Sequence, residues 1–141
     1  MSCSDKQPEV RTDAVVLGRL INLPVKPVSV LWVSQKVVEN PRVDLGPTDY
    51  YINAVIKLDD ADFEKVKQQC STEPYSETQL DKSFMKPWFP QSVKDCFKDK
   101  GDYLRVPITW ADPKIFIKSP LLQGFCFFTN NNEVFVHLYT M

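Results

Sequence analysis

Alternation of apolar and polar positions is the clearest signal along this chain. In residues 50–58, Tyr50, Ile52, Ala54, Ile56 and Leu58 fall on one face and Tyr51, Asn53, Val55 and Lys57 on the other, the period of a strand. Residues 28–38 are β-branched and aromatic, and residues 14–21 form a short apolar run; both read as strands, the latter ended by Asn22-Leu23-Pro24. Residues 123–128 and 133–139 predict a hairpin across Thr129-Asn130-Asn131-Asn132, because asparagine accepts positive φ at low cost. On its second arm Val134, Val136 and Leu138 alternate with Phe135, His137 and Tyr139. Both faces of that arm are apolar, which predicts a central strand or one covered by a helix. Tyr103–Trp110 and Lys114–Ile117 are further strand candidates.

The period changes after Leu58. Asp59 or Asp60 suits an N-cap, Asp62 and Glu64 suit the positive end of a helix dipole, and Phe63, Val66 and Cys70 share one helical face. A second helix is predicted over 90–99, with Pro90 in its first turn, Val93, Cys96 and Phe97 on one face, and Gly101 as its stop. Residues 40–48 read as a loop, and 71–89 as irregular with a helical turn near Glu77–Asp81. This order predicts an α+β fold, an antiparallel sheet with two main helices packed on one face. Residues 1–12 read as a flexible N-terminal tether and 13–141 as a single domain. A chain of 141 residues buries roughly 70% of its unfolded surface on folding.

Composition then removes several classes of chemistry. Seventeen Lys and Arg against 18 Asp and Glu leave no basic excess to displace counterions, so no nucleic-acid partner is expected. No apolar run approaches the ~20 residues that span a bilayer. The four glycines are scattered, so there is no glycine-rich phosphate loop, and a single histidine excludes a two-His metal site. No Cys-x-x-Cys is present, which argues against a zinc knuckle or a thioredoxin-like pair. The acids at 59–64 lack the glycine and distal glutamate of an EF-hand and read as helix capping. Neither metal nor cofactor is therefore expected. His137 is the one side chain whose ordinary pKa lies near neutrality. A Cys126–His137 pair can be drawn on the hairpin, yet a strand thiol turned away from Phe125 and Phe127 lacks the helix N-terminus that would activate it. The acids single out no carboxylate pair, and no catalytic residue is assigned.

More informative are the aromatics. Lys86-Pro87-Trp88-Phe89-Pro90 sets two large rings between prolines, and Trp110-Ala111-Asp112-Pro113 sets another on a turn. Rings on proline-fixed loops lose little entropy when a partner orders them, which makes Trp88, Phe89, Trp110 and Asp112 candidates for partner binding. The alternative is that Trp88 and Phe89 close over the core where the following helix begins. Asp81, Asp95, Asp99, Asp102 and Asp112 would give such a surface an acidic rim.

Ser2-Cys3-Ser4-Asp5 resembles the first residues of mature bacterial lipoproteins, in which the cysteine is acylated and a polar leash follows. That resemblance implies lipidation at Cys3 and a periplasmic location, the membrane being reached only through the anchor. The alternative is a cytoplasmic protein with an unmodified Cys3. With Cys3 acylated, Cys70, Cys96 and Cys126 allow three single disulfides, of which Cys70–Cys96 is favoured because each lies on an apolar helical face; the alternative is three buried thiols. The run from Asp49 to Val66, with Leu23-Pro24 and Pro87-Trp88-Phe89-Pro90, resembles small envelope lipoproteins of Gram-negative bacteria, some of them similar to immunity proteins. It implies a non-enzymatic protein-binding domain whose partner is a cognate toxin. A small hydrolase, a ligand-binding envelope protein and an envelope-assembly lipoprotein are the alternatives, and the oligomeric state stays open.

Overall fold

A computed structural model describes residues 9–36, 50–70, 79–105 and 111–140. The elements, in chain order, are α1 (Ala14–Leu20), β1 (Ser29–Lys36), β2 (Tyr50–Lys57), α2 (Asp60–Gln69), β3 (Gln79–Leu80), α3 (Gln91–Lys94), β4 (Lys98–Asp99), β5 (Leu104–Arg105), β6 (Gln123–Phe128) and β7 (Glu133–Tyr139). Short 3-10 turns occupy Lys82–Phe84 and Lys114–Phe116. The fold is α+β. Its main sheet is antiparallel with strand order β1-β2-β7-β6, and β3-β5-β4 form a smaller sheet. As the doubly apolar pattern of its residues predicts, β7 is central.

Strand alternation sorts side chains into two cores with the main sheet as their shared wall. On one face Trp32, Ile52, Ala54, Ile56, Val134, Val136 and Leu138 meet Leu17 and Ile21 of the α1 region and Phe63, Val66 and Cys70 of the α2 region. On the other, Val55, Phe125, Phe127 and Phe135 meet Phe89, Val93 and Phe97, with Leu80, Phe84, Met85 and Trp88 at the margin. The second core is a lattice of rings. Phe135 stacks on Phe127 at 5.0 Å and meets Phe89 at 5.1 Å, and Phe97 meets Phe127 edge-on at 5.2 Å.

Three sequence expectations change. Of residues 14–21, Ala14–Leu20 are helical rather than extended, with Ile21 as the C-cap. The Asp13 carboxylate accepts the N–H groups of Val15 and Val16 at 3.0 and 3.2 Å, and Leu17 and Ile21, four apart, share a buried face. The helix expected over 90–99 is a single turn, α3, and it lies on the face opposite α1 and α2. Its chain leaves the helix so that Phe97 enters the aromatic core and β4 pairs with β5. Gly101, with φ +92°, serves the turn between these two strands rather than a helix end. The strand expected at Lys114–Ile117 is a 3-10 turn that buries Phe116. Of Tyr103–Trp110, Leu104 and Arg105 are extended and 106–110 lie outside the described residues.

Both edges of the main sheet are partly covered. Arg11 exchanges two backbone hydrogen bonds with Trp32 of β1, at 2.8 and 2.9 Å, and Ala111 does the same with Cys126 of β6, at 2.7 and 3.1 Å. Arg11 also sets its guanidinium 4.6 Å from the Trp32 ring, so the ordered chain reaches back into the stretch expected to be a tether. The buried Glu133 carboxylate accepts the hydroxyls of Ser92 and Thr129, which ties α3 to the hairpin. Among the described residues no helix is long and apolar enough to cross a membrane.

Candidate functional site: a recess at His137

Pairing of β2 with β7 sets Asn53 directly opposite His137, and pairing of β7 with β6 sets His137 opposite Phe125. Alternation turns both Asn53 and His137 toward the aromatic face. There they are the polar members of an otherwise apolar row. Asn53 is 1% exposed, and its Oδ1 lies 2.6 Å from His137 Nδ1. An amide oxygen only accepts, so Nδ1 carries the proton and donates, and Nε2 keeps its lone pair. Phe84 stands edge-on to the imidazole at 5.0 Å, with Phe125, Tyr139 and Tyr51 at 5.4, 5.5 and 5.8 Å.

Burial among these rings holds the His137 pKa down at about 4, so the imidazole is neutral at physiological pH. Burial also raises Tyr51, whose hydroxyl donates to Gln35 Oε1 at 2.7 Å. Above the imidazole the chain from 81 to 86 forms a rim. The Asp81 carboxylate accepts the Ser83 N–H at 2.8 Å, and Lys86 Nζ donates to the Ser83 carbonyl at 2.8 Å. That backbone bond holds Asp81 below its ordinary value. Together Tyr51, Asn53, Asp81, Ser83, Phe84, Lys86 and His137 line an open recess of about 210 Å³. Such a space admits a small polar molecule or one side chain, and among the described residues nothing hydrogen-bonds Nε2.

The recess contains a base without an assembled nucleophile. Among the described residues no hydroxyl or thiol is hydrogen-bonded to His137, and its orienting partner is an amide rather than a carboxylate. Cys126 lies across the sheet, in the helix-side core. No group of three or more His, Cys, Asp or Glu able to hold a metal occurs among the described residues.

The described members of the sequence-predicted binding set, Trp88, Phe89 and Asp112, are not brought into one surface. Phe89 is 3% exposed and belongs to the aromatic core, so the lid reading describes it and the anchor reading does not. Trp88 is half-buried and stands edge-on to Phe89 at 4.8 Å, leaving part of its ring exposed. Asp112 sits with the helix-side core; its carboxylate accepts the Lys114 N–H at 3.0 Å, and its carbonyl faces Cys126 Sγ at 3.8 Å. Trp110 and Cys3 lie outside the described residues. Asp99 pairs with Lys82 at 3.3 Å, and Asp95 accepts from Gln91 at 2.6 Å, so part of the expected acidic rim is locally occupied.

Cys70 and Cys96 form no disulfide. Both are free thiols, Cys70 in the helix-side core and Cys96 at the margin of the aromatic core, with the sheet between them. The pairing expectation fails because it takes the helix at 90–99 to share a face with α2. Sequence reasoning also passed over Asn53, Tyr51 and Phe84; the available signal was an asparagine on the same strand face as Val55. No family model matches the chain, and no curated protein or solved structure matches it either.

Proposed function

We propose that this chain is a non-enzymatic binding domain that grips a partner protein through the surface where Trp88 stands beside the aromatic face. One observation carries the reading: Trp88 is half-buried, not sealed into the core, yet already fixed, between Pro87 and Pro90 and edge-on to the buried Phe89 ring. A tryptophan ordered before binding loses little entropy on contact, and tryptophan is enriched among residues that dominate interfaces. The resemblance to immunity proteins supplies the partner class, a toxin effector. The Ser2-Cys3-Ser4-Asp5 junction supplies the location, a lipid-anchored protein in the periplasm.

The test is co-purification with products of adjacent genes, followed by titration. A cognate effector is expected to bind wild type, and Trp88→Ala is expected to weaken the complex tenfold or more, about 1.4 kcal/mol, while thermal unfolding stays cooperative. Unchanged affinity discards the Trp88 surface, and absence of binding by any such product discards the toxin reading. Phe89 is left intact, since truncating a core ring would confound folding with binding.

The recess favours a second reading, capture of a small molecule that offers an N–H or O–H donor to His137 Nε2. Nitrogen-15 chemical shifts of the imidazole, recorded across a panel of small polar compounds, are expected to move at Nε2 on binding. No shift with any compound rejects this reading.

A further inference from the structure

Alternation along β6 sends Phe125 and Phe127 into the aromatic core and Cys126 into the opposite one, toward which the Phe63, Val66, Cys70 stripe of the α2 region also points. Two thiols distant in sequence thereby meet in one apolar cluster. Cys126 is fully buried and Cys70 is 8% exposed. The Cys126 side chain interacts with that of Cys70 in this cluster, and its Sγ lies 3.7 and 3.8 Å from the Ala111 and Asp112 carbonyl oxygens. Cys96 is out of reach beyond the sheet, with its thiol donating to the Ser92 carbonyl at 3.3 Å. Cys70 follows the last residue of α2, and a position at a helix end adjusts more readily than one within a ladder.

We propose that Cys70 and Cys126 are a disulfide-forming pair which, under an oxidising thiol–disulfide poise, joins the C-terminal end of α2 to β6. The oxidant is a small-molecule disulfide. The Cys70 thiolate attacks one of its sulfurs, forming a mixed disulfide and releasing one thiolate. Cys126, once deprotonated, attacks Cys70 Sγ and expels the second. The two thiol protons end on the two released thiolates, and the oxidant gains the two electrons that the cysteines lose. Cys70 is suited to the first step, because its interaction with Cys126 lowers its pKa and it lies nearer the surface, whereas that same interaction, and then burial, keep Cys126 protonated. Complete burial of Cys126 assigns the exchange to the folding chain or to opening of the last turn of α2.

The experiment is refolding of the full reduced chain in oxidised and reduced glutathione, acid quench, alkylation and peptide mapping without reductant. The expected map links the Cys70 peptide to the Cys126 peptide and finds Cys96 alkylated. The thermal midpoint is expected to exceed that of the same protein in reductant by about 5–10 °C. Cys70→Ser should abolish both the link and the reductant-dependent shift. Alkylation of both Cys70 and Cys126, or a link from either to Cys96 or Cys3, overturns the proposal. Should Cys70→Ser not fold, the wild-type map decides alone. Neither outcome bears on whether Trp88 binds a partner.

Discussion

His137 shows how a residue that looks ordinary in sequence acquires its character from cross-strand register. Asn53 opposite it accepts the hydrogen bond from Nδ1–H, and aromatic rings pack around the imidazole. The consequence is a dependence of stability on pH with a definite sign. The imidazole has a pKa of about 4 in the fold against 6.5 when exposed, so between these values the unfolded chain binds a proton that the native chain does not. Stability from this group is complete above about pH 6.5, falls as pH drops toward 4, and levels off below. The full loss is about 3 kcal/mol. Urea titrations at pH 7, 5.5 and 4 should show it, and His137→Gln should remove most of the slope between pH 6.5 and 4. An equal slope in the variant would mean that other groups titrate and that the imidazole is not shielded.

At the scale of elements, β2, β6, β7 and α2 were legible because each follows one clear period. Residues 50–57 alternate in polarity, 133–139 carry β-branched and aromatic side chains on both faces, and Phe63, Val66 and Cys70 form a helical stripe behind an aspartate cap. Residues 14–20 misread because a short apolar run satisfies either period, and what decides it is the pair of hydrogen bonds that the Val15 and Val16 N–H groups donate to the Asp13 carboxylate. Residues 95–99 misread because their helical pattern is weaker than the gain from burying Phe97 and pairing β4 with β5. The recess was only half legible, since His137 was noted but register alone reveals Asn53 as its partner. Gly124 of β6 has a similarly hidden role. Its φ is +148°, and a Cβ there would lie 1.8 Å from the His137 carbonyl oxygen. β6 therefore approaches β7 more closely than any side chain permits, at the residue that carries the imidazole. Gly124→Ala is expected to destabilise the fold by well over about 1 kcal/mol and to shift the imidazole NMR signals, because the clash is with backbone and cannot be relieved by a rotamer. Wild-type stability with unmoved His137 resonances would show that β6 accommodates the methyl without displacing β7.

The whole molecule is two cores on one sheet, and this arrangement has an energetic consequence. β2 and β7 each contribute alternate residues to both sides: Ile52, Ala54 and Ile56 against Asn53 and Val55, and Val134, Val136 and Leu138 against Phe135 and His137. Neither strand can leave one core without dissolving the other. The smaller sheet is different, since β3, β4 and β5 are two residues each and meet the aromatic core through Leu80 of β3 and Phe97, which precedes β4. Native-state hydrogen exchange should therefore find β2 and β7 opening only with global unfolding, and β3–β5 opening at lower free energy. Phe135 offers the sharper test, because it is fully buried and touches Phe89, Phe97, Phe125 and Phe127. Phe135→Ala is expected to cost about 3–5 kcal/mol through lost burial and the cavity left behind. If the sheet couples the cores, the amides of Ile52, Ala54 and Val136, whose side chains face away from Phe135, should lose protection by the same free energy as the amides of Val55 and Phe127. Loss confined to residues 79–105 and the aromatic face would instead make the two cores separate units, and the shared-wall account would fail.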